Sequence, residues 1–290
     1  SPRLAQQLQK KAGRIFPFYL NYGTMDQGGL LYVNLVSLTG LRGAVDMLNE
    51  FSSEEASNLR HILQDYLQEF TNLLETIDYD LSYDKRGYCF ATWPAQIHSV
   101  IPKAREYFVK TGFDSQVPIS SWKYLDMDYA HNFLIAGHRS AGYRVVQRYL
   151  NLYTFKMWKL LDEGGPSSQG YWKLLSNPMW NPEVAIPHGW SIASLVLLMR
   201  DALVYEDDGS LVLLSGIPPE WFGAGKKLSY SLPTEYGLLR VYMECKEQNI
   251  ILDVEIAGSP PKGISAVLPE TPGERRVRIT PGRNVILRMR

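Results

Sequence analysis

Cysteine is scarce, with Cys89 and Cys245 the only two in 290 residues. They fall on opposite sides of a change from helical to strand patterning, so neither a disulfide framework nor a Cys-x-x-Cys metal site follows from them. An excess of one charge sign is missing too: 30 Lys plus Arg balance 30 Asp plus Glu. The totals therefore hold no basic face for nucleic acid or for an anionic membrane surface. A bilayer span needs about 18 or more consecutive apolar residues, and the longest candidate, Leu195 to Leu203, is broken by Arg200 and Asp201. No nucleophile elbow, glycine-rich phosphate loop or zinc spacing occurs. His131 and His138 lack carboxylate company at ligand spacing, which argues against a metal. No cofactor is expected, and the partner expected is uncharged. The compartment stays open. The chain opens with Ser1 directly before the helix-prone L-A-Q-Q-L-Q-K-K-A, without initiator Met or signal peptide, and is expected to be cut from a longer protein.

What is present is a 45% hydrophobic composition, enough to bury a core, over a length that predicts about two domains. Apolar residues near helical spacing (Leu31, Leu35, Leu38, Leu41, Val45, Leu48) predict a helix over 28–51. Ser52-Ser53-Glu54-Glu55 is a start signal for the next, reaching Ile77. Further helices are predicted from Trp93 to Thr111, with Pro94 in the first turn, then over 128–151, 154–162 and 191–204. Their recurrence predicts stacked helical hairpins. From Ser210 the period changes to two, and Leu239, Val241 and Met243 alternate with Arg240, Tyr242 and Glu244. Short strands separated by turn residues predict an antiparallel β-sandwich. The expected division is a helical-hairpin domain over 1–206 and a sandwich over 207–290, with an interface around Trp221.

Between the two regimes lies Tyr171 to Trp190, which gathers Trp172, Trp180, Glu183, His188 and Trp190 in a Pro-punctuated stretch. Large aromatics there serve either as an aromatic-lined binding site or as a buried seam.

The run G-W-S-I-A-S-L-V-L-L-M-R-D-A-L-V, then D-G-S-L-V-L-L-S-G-I-P-P-E-W-F and L-P-T-E-Y-G-L-L-R-V-Y-M-E, resembles the end of a six-hairpin (α/α)6 glycosidase and its following β-domain. That architecture is shared by α-L-rhamnosidase-type hydrolases and inverting disaccharide phosphorylases. The resemblance covers 187–269 most clearly, and 28–151 only as hairpin rhythm. It implies a partial (α/α)6 toroid followed by an antiparallel β-sandwich. It also implies a carbohydrate substrate, and a missing N-terminal part or another chain that completes the ring. The rhamnosidase-like pattern W-E, spacer, H-G-W-S is met by His188-Gly189-Trp190-Ser191, but its Glu is replaced by Lys173.

On that resemblance the loops over 16–27, 78–93, 114–127 and 163–188 converge on the substrate. Trp93, Trp172, Trp180 and Trp190 would stack on apolar sugar faces, with Asp128 and His188 contacting hydroxyls. Inversion needs an acid and a base roughly 6.5–9.5 Å apart. Glu183 is the candidate base and Asp26 the candidate acid. Asp26 and Asp128 are equally suited to capping the helices that follow them, and His98 and His131 to satisfied positions in a core. The function expected is part of an inverting glycoside hydrolase for a neutral oligosaccharide or glycoside. Lys173 favours instead a non-catalytic carbohydrate-binding or scaffold relative. A phosphorylase would need phosphate ligands such as Lys173, Ser167 and Ser168.

Overall fold

The computed structural model describes residues 27–76, 92–96, 125–144, 147, 154–155, 160–161, 188–207, 209–247, 249–269, 274–282 and 285–288. The chain divides into two compact units, Ser1–Tyr107 and Phe108–Arg290.

In the first unit, α1 (Gln27–Asn49) and α2 (Ser53–Thr76) form a hairpin. The start signal works as its chemistry requires: Ser52 Oγ accepts from the Glu55 N–H, and Glu54 and Glu55 sit in the positive first turn of α2. Leu35, Leu38 and Val45 are buried on α1, as are Ala56, Tyr66 and Phe70 on α2. The Tyr66 hydroxyl donates to Asn34 Oδ1 at 2.6 Å, satisfying two polar groups within that apolar contact. The helix expected from Trp93 to Thr111 does not begin at Trp93, and 97–111 lie outside the described residues. Residues 93–96 form a turn in which the Trp93–Pro94 peptide is cis, and Arg42 donates to the Ala95 carbonyl.

The second unit begins, among described residues, with α3 (Leu125–Ile135), a turn at 136–138 and a helical turn over 139–144. The helix expected over 154–162 is instead a short antiparallel ladder, β1 (Thr154–Phe155) against β2 (Leu160–Leu161). Short apolar runs carry no period long enough to separate helix from strand. Helix α4 (Gly189–Leu203) leads directly into β3 (Val204–Asp207), followed by β4 (Ser210–Leu213) and a 3-10 turn at Pro219–Phe222. Then come β5 (Lys227–Thr234), β6 (Gly237–Lys246), β7 (Asn249–Ile256), β8 (Gly263–Pro269), β9 (Glu274–Ile279) and β10 (Val285–Arg288).

These strands make two four-stranded sheets, ordered β10-β7-β6-β5 and β3-β4-β8-β9. On β6, Leu239, Val241, Met243 and Cys245 are buried while Arg240 and Tyr242 face solvent. Val241 is in register with Tyr230 on one side and Val254 on the other. The inward residues of both sheets meet in one apolar core that includes Leu211, Leu213, Phe222, Met243, Leu252 and Ala266.

This architecture overturns the expected partial (α/α)6 toroid. Among the described residues helices are few, and the two sheets hold most of the regular structure. The sheet pattern also departs from a purely antiparallel sandwich, because β4 and β8 pair in parallel, Leu211 beside Ile264 and Leu213 beside Ala266. The segment between them supplies three strands of the opposite sheet, so β8 returns to β4 by a long crossover rather than a hairpin. At the expected interface residue Trp221 the side chain is 45% exposed, and its neighbour Phe222 fills the core instead.

At Gly216, after β4, the backbone passes close to both helices. A Cβ there would stand 2.6 Å from both Ala202 Cβ on α4 and Leu134 Cδ1 on α3. Its N–H donates to the Ala202 carbonyl at 3.0 Å. Gly216→Ala should therefore destabilise the second unit by about 1–3 kcal/mol through overpacking. Urea denaturation followed by circular dichroism checks it, and an unchanged midpoint would contradict the close approach.

Candidate functional site

The H-G-W-S tetrapeptide forms the beginning of α4. His188 takes extended backbone angles as the N-cap, and its Nδ1 accepts from the Ser191 N–H at 3.2 Å and lies 2.7 Å from Ser191 Oγ. A ring nitrogen that accepts from an N–H carries no proton, so neutral His188 holds its proton on Nε2. One of the helix's orphan donors is satisfied by the residue that the motif places there. Trp190, two residues later, is half-buried.

The buried face of α4 is unusual in composition. Ser191, Ser194, Leu198 and Asp201 recur at helical spacing and are all buried, whereas Ile192, Val196 and Met199 on another face are exposed. The polar face meets α3. Met127, Ala130 and Leu134 of α3 pack with Leu198, flanked by Leu195 and Ala202, and polar contacts lie at both ends of this small apolar patch.

At one end sits Asp128, 1% exposed, whose Oδ1 accepts from Ser194 Oγ at 2.8 Å. Its Oδ2 has no partner at hydrogen-bond geometry, although the Trp190 indole lies near enough to stabilise the charged form. Burial raises the pKa from 3.8 to about 7, and the Ser194 and Trp190 donors pull in the opposite direction. At the other end His131 Nε2 lies 2.6 Å from Asp201 Oδ2, and Asp201 Oδ1 accepts from Arg200 at 2.9 Å. Arg200 forks onto Glu206 of β3 at 2.5 and 2.6 Å, which raises the guanidinium's pKa and ties the helix to the strand that follows it.

A third polar contact joins the helical region to the sheets. Arg139, 2% exposed, donates through Nε to the Ser215 carbonyl and through Nη2 to the carbonyls of Leu214 and Val267. Its guanidinium stands 5.0 Å from the centroid of the Phe222 ring. Leu214 itself is buried with φ 63, a left-handed conformation costly for a branched side chain. The arginine fork therefore holds the backbone where it is least at ease.

Of the residues expected at a site, the structure brings Asp128 and Trp190 together. Asp128 is not a helix cap: it lies within α3 and is closed off from solvent. His188 serves α4 as its cap. Trp93 belongs to the first unit, in the turn described above. Asp26, Trp172, Trp180 and Glu183 lie outside the described residues. His131 is buried in the core, its Nε2 against Asp201. Ser194, Asp201 and Arg139 were not singled out as site residues in the sequence. The signal available was polar residues at helical spacing inside the otherwise apolar run of α4. Among the described residues no group of His, Cys, Asp and Glu is placed to hold a metal ion, and no helix is long and apolar enough to cross a membrane. Comparisons with protein-family models, with curated proteins and with solved structures found no match.

Arg139→Lys should cost about 3 kcal/mol, because an ammonium cannot span three carbonyls and leaves buried acceptors unpaired. Arg276→Lys on exposed β9 serves as the control and should change stability by less than about 0.5 kcal/mol. Equal denaturation midpoints for the two variants would refute the bridging role.

Proposed function

We propose that this chain is a carbohydrate-binding protein that does not itself hydrolyse glycosides. The observation that carries this reading is the fate of the H-G-W-S motif. It offers a half-buried Trp190 ring at the start of α4, while His188 is engaged in capping and Asp128 is shut into the α3–α4 contact. An indole at a helix start combines a flat apolar face with a polar edge, the combination that stacks against a neutral sugar ring. Lys173 in place of the glutamate supports the non-catalytic side, since a lysine cannot act as the carboxylate base of an inverting reaction. The aromatic-rich stretch that precedes α4 and the balanced charge of the chain agree with an uncharged polyol partner.

Titration of neutral oligosaccharides against intrinsic tryptophan fluorescence tests the proposal. Trp190→Ala should weaken binding by about ten-fold or more, and Trp190→Phe by less, with folding verified by circular dichroism. A panel of neutral glycans that leaves the wild-type signal unmoved would remove the reading.

One observation favours a second reading, the inverting glycoside hydrolase. A carboxyl that keeps its proton up to about pH 7 has the property a leaving-group acid needs, and Asp128 has it. Glu183 would then be the base. Turnover of aryl glycosides that falls by about 10²–10⁴ in both Asp128→Asn and Glu183→Gln would establish it, and no turnover by the wild type would exclude it.

A further inference from the structure

The geometry points to the α3–α4 contact as a proton-gated latch, closed while the Asp128 carboxyl holds its proton and loosened when it ionises. This goes beyond the carbohydrate reading and does not rest on it.

Three structural facts carry the inference. Asp128 lies in the contact between the two helices and is 1% exposed, at one end of the apolar patch of Met127, Ala130, Leu134 and Leu198. Its hydrogen bond from Ser194 Oγ, at 2.8 Å, crosses from α4 to α3, so the carboxyl is itself part of what joins them. Its second oxygen, also buried, has no partner at hydrogen-bond geometry. A protonated carboxyl fits such a place at little cost. An ionised one must be held there by neutral donors alone.

The cations and titratable groups with described side chains on the surrounding elements are Tyr129, His131, His138, Arg139, Tyr143 and Arg144 on the α3 side, with His188, Arg200 and Asp201 on α4. His131 is engaged by Asp201, and Asp201 by Arg200, which also forks onto Glu206. Arg139 serves the carbonyls of residues 214, 215 and 267, and His188 caps α4. What offsets the burial of Asp128 is Ser194 and Trp190, both neutral.

The sign follows from linkage. In the closed state burial lifts the carboxyl to about 7 from 3.8, the value it regains once water reaches it. Below about pH 4 both states are protonated and the latch is fully closed. Between about pH 4 and pH 7 the open state alone ionises, so the opening equilibrium rises about ten-fold per pH unit. Above about pH 7 both states are ionised and the effect levels off. Opening also frees Trp190 and the first turn of α4 from the carboxyl.

Amide hydrogen exchange of α3 and α4, measured from pH 4 to 9 on the chain and corrected for intrinsic exchange rates, reads this directly. Wild-type protection should fall about ten-fold per unit up to about pH 7 and then stay level. Asp128→Asn, which keeps the shape and the acceptor for Ser194 without the charge, should show no such fall. Ser194→Ala removes a donor to the charged form, so its decline should continue to higher pH. Carbon-13 detection of the aspartate carboxyls in the wild type should find one titrating near 7. PH-independent protection in the wild type, the same slope in Asp128→Asn, an unmoved window in Ser194→Ala, or no carboxyl midpoint above the ordinary range would each overturn the latch.

Discussion

A carboxyl sealed between two helices constrains everything around it, because its charged form is costly there and its neutral form is not. The α3–α4 contact is built around that asymmetry. Its apolar part is small, essentially Met127, Ala130, Leu134 and Leu198. Polar groups at either side of the patch contribute much of the joining: Ser194 to Asp128 at one end, His131 to Asp201 at the other. Polar contacts of this kind are directional. They fix the helices in one register more strongly than they add net stability, since most of what a buried hydrogen bond returns was surrendered in leaving water.

The sheets stabilise themselves by a different route. Their common core is apolar and takes alternate residues from nearly every strand, so period-two patterning and burial reinforce each other. Among the described residues, specific polar devices attach the helices to that core. Arg139 reaches the carbonyls of residues 214, 215 and 267, the Tyr230 hydroxyl donates to the Leu203 carbonyl at 2.9 Å, and Arg200 forks onto Glu206. Gly216 lets the backbone pass close beneath Leu134 and Ala202. A helix held by such contacts can loosen while the sheets remain intact, because local opening breaks only what crosses the seam.

The sheet region was the more legible part of the sequence. Alternation along β6 identified its inward face, and turn residues separated most strands, because the physics that decides them is local. The parallel pairing of β4 with β8 was not legible, since nothing in either strand records which distant partner it meets. The start of α2 was readable from Ser52 and two glutamates. The ladder of Thr154–Phe155 with Leu160–Leu161 was not, its apolar runs being too short to carry a period. Asp128 misled for a related reason: an aspartate ahead of an apolar stretch has the pattern of a cap, and only the helix beginning at Leu125 puts it in the interior. The toroid expectation failed at the level of architecture, where a resemblance read over one helix and its following strands was extended to hairpin rhythm upstream.

Helix α4 shows why a motif and a fold can part company. Its sequence carries two faces at helical spacing, Ser191, Ser194 and Asp201 on one and Ile192, Val196 and Met199 on the other. The usual rule sends the apolar face inward. Here the polar face is the buried one, because Asp128 and His131 across the seam supply its partners. Hydropathy fixes that two faces exist; which of them turns inward is decided by the chemistry of the neighbour, and that neighbour lies 66 to 70 residues upstream in the chain. The H-G-W-S tetrapeptide is subject to the same condition. Its histidine caps α4 through contacts with Ser191 that are internal to the tetrapeptide. A catalytic meaning would depend on groups brought to it from elsewhere, and what the described residues bring is a single carboxyl closed into a helix contact.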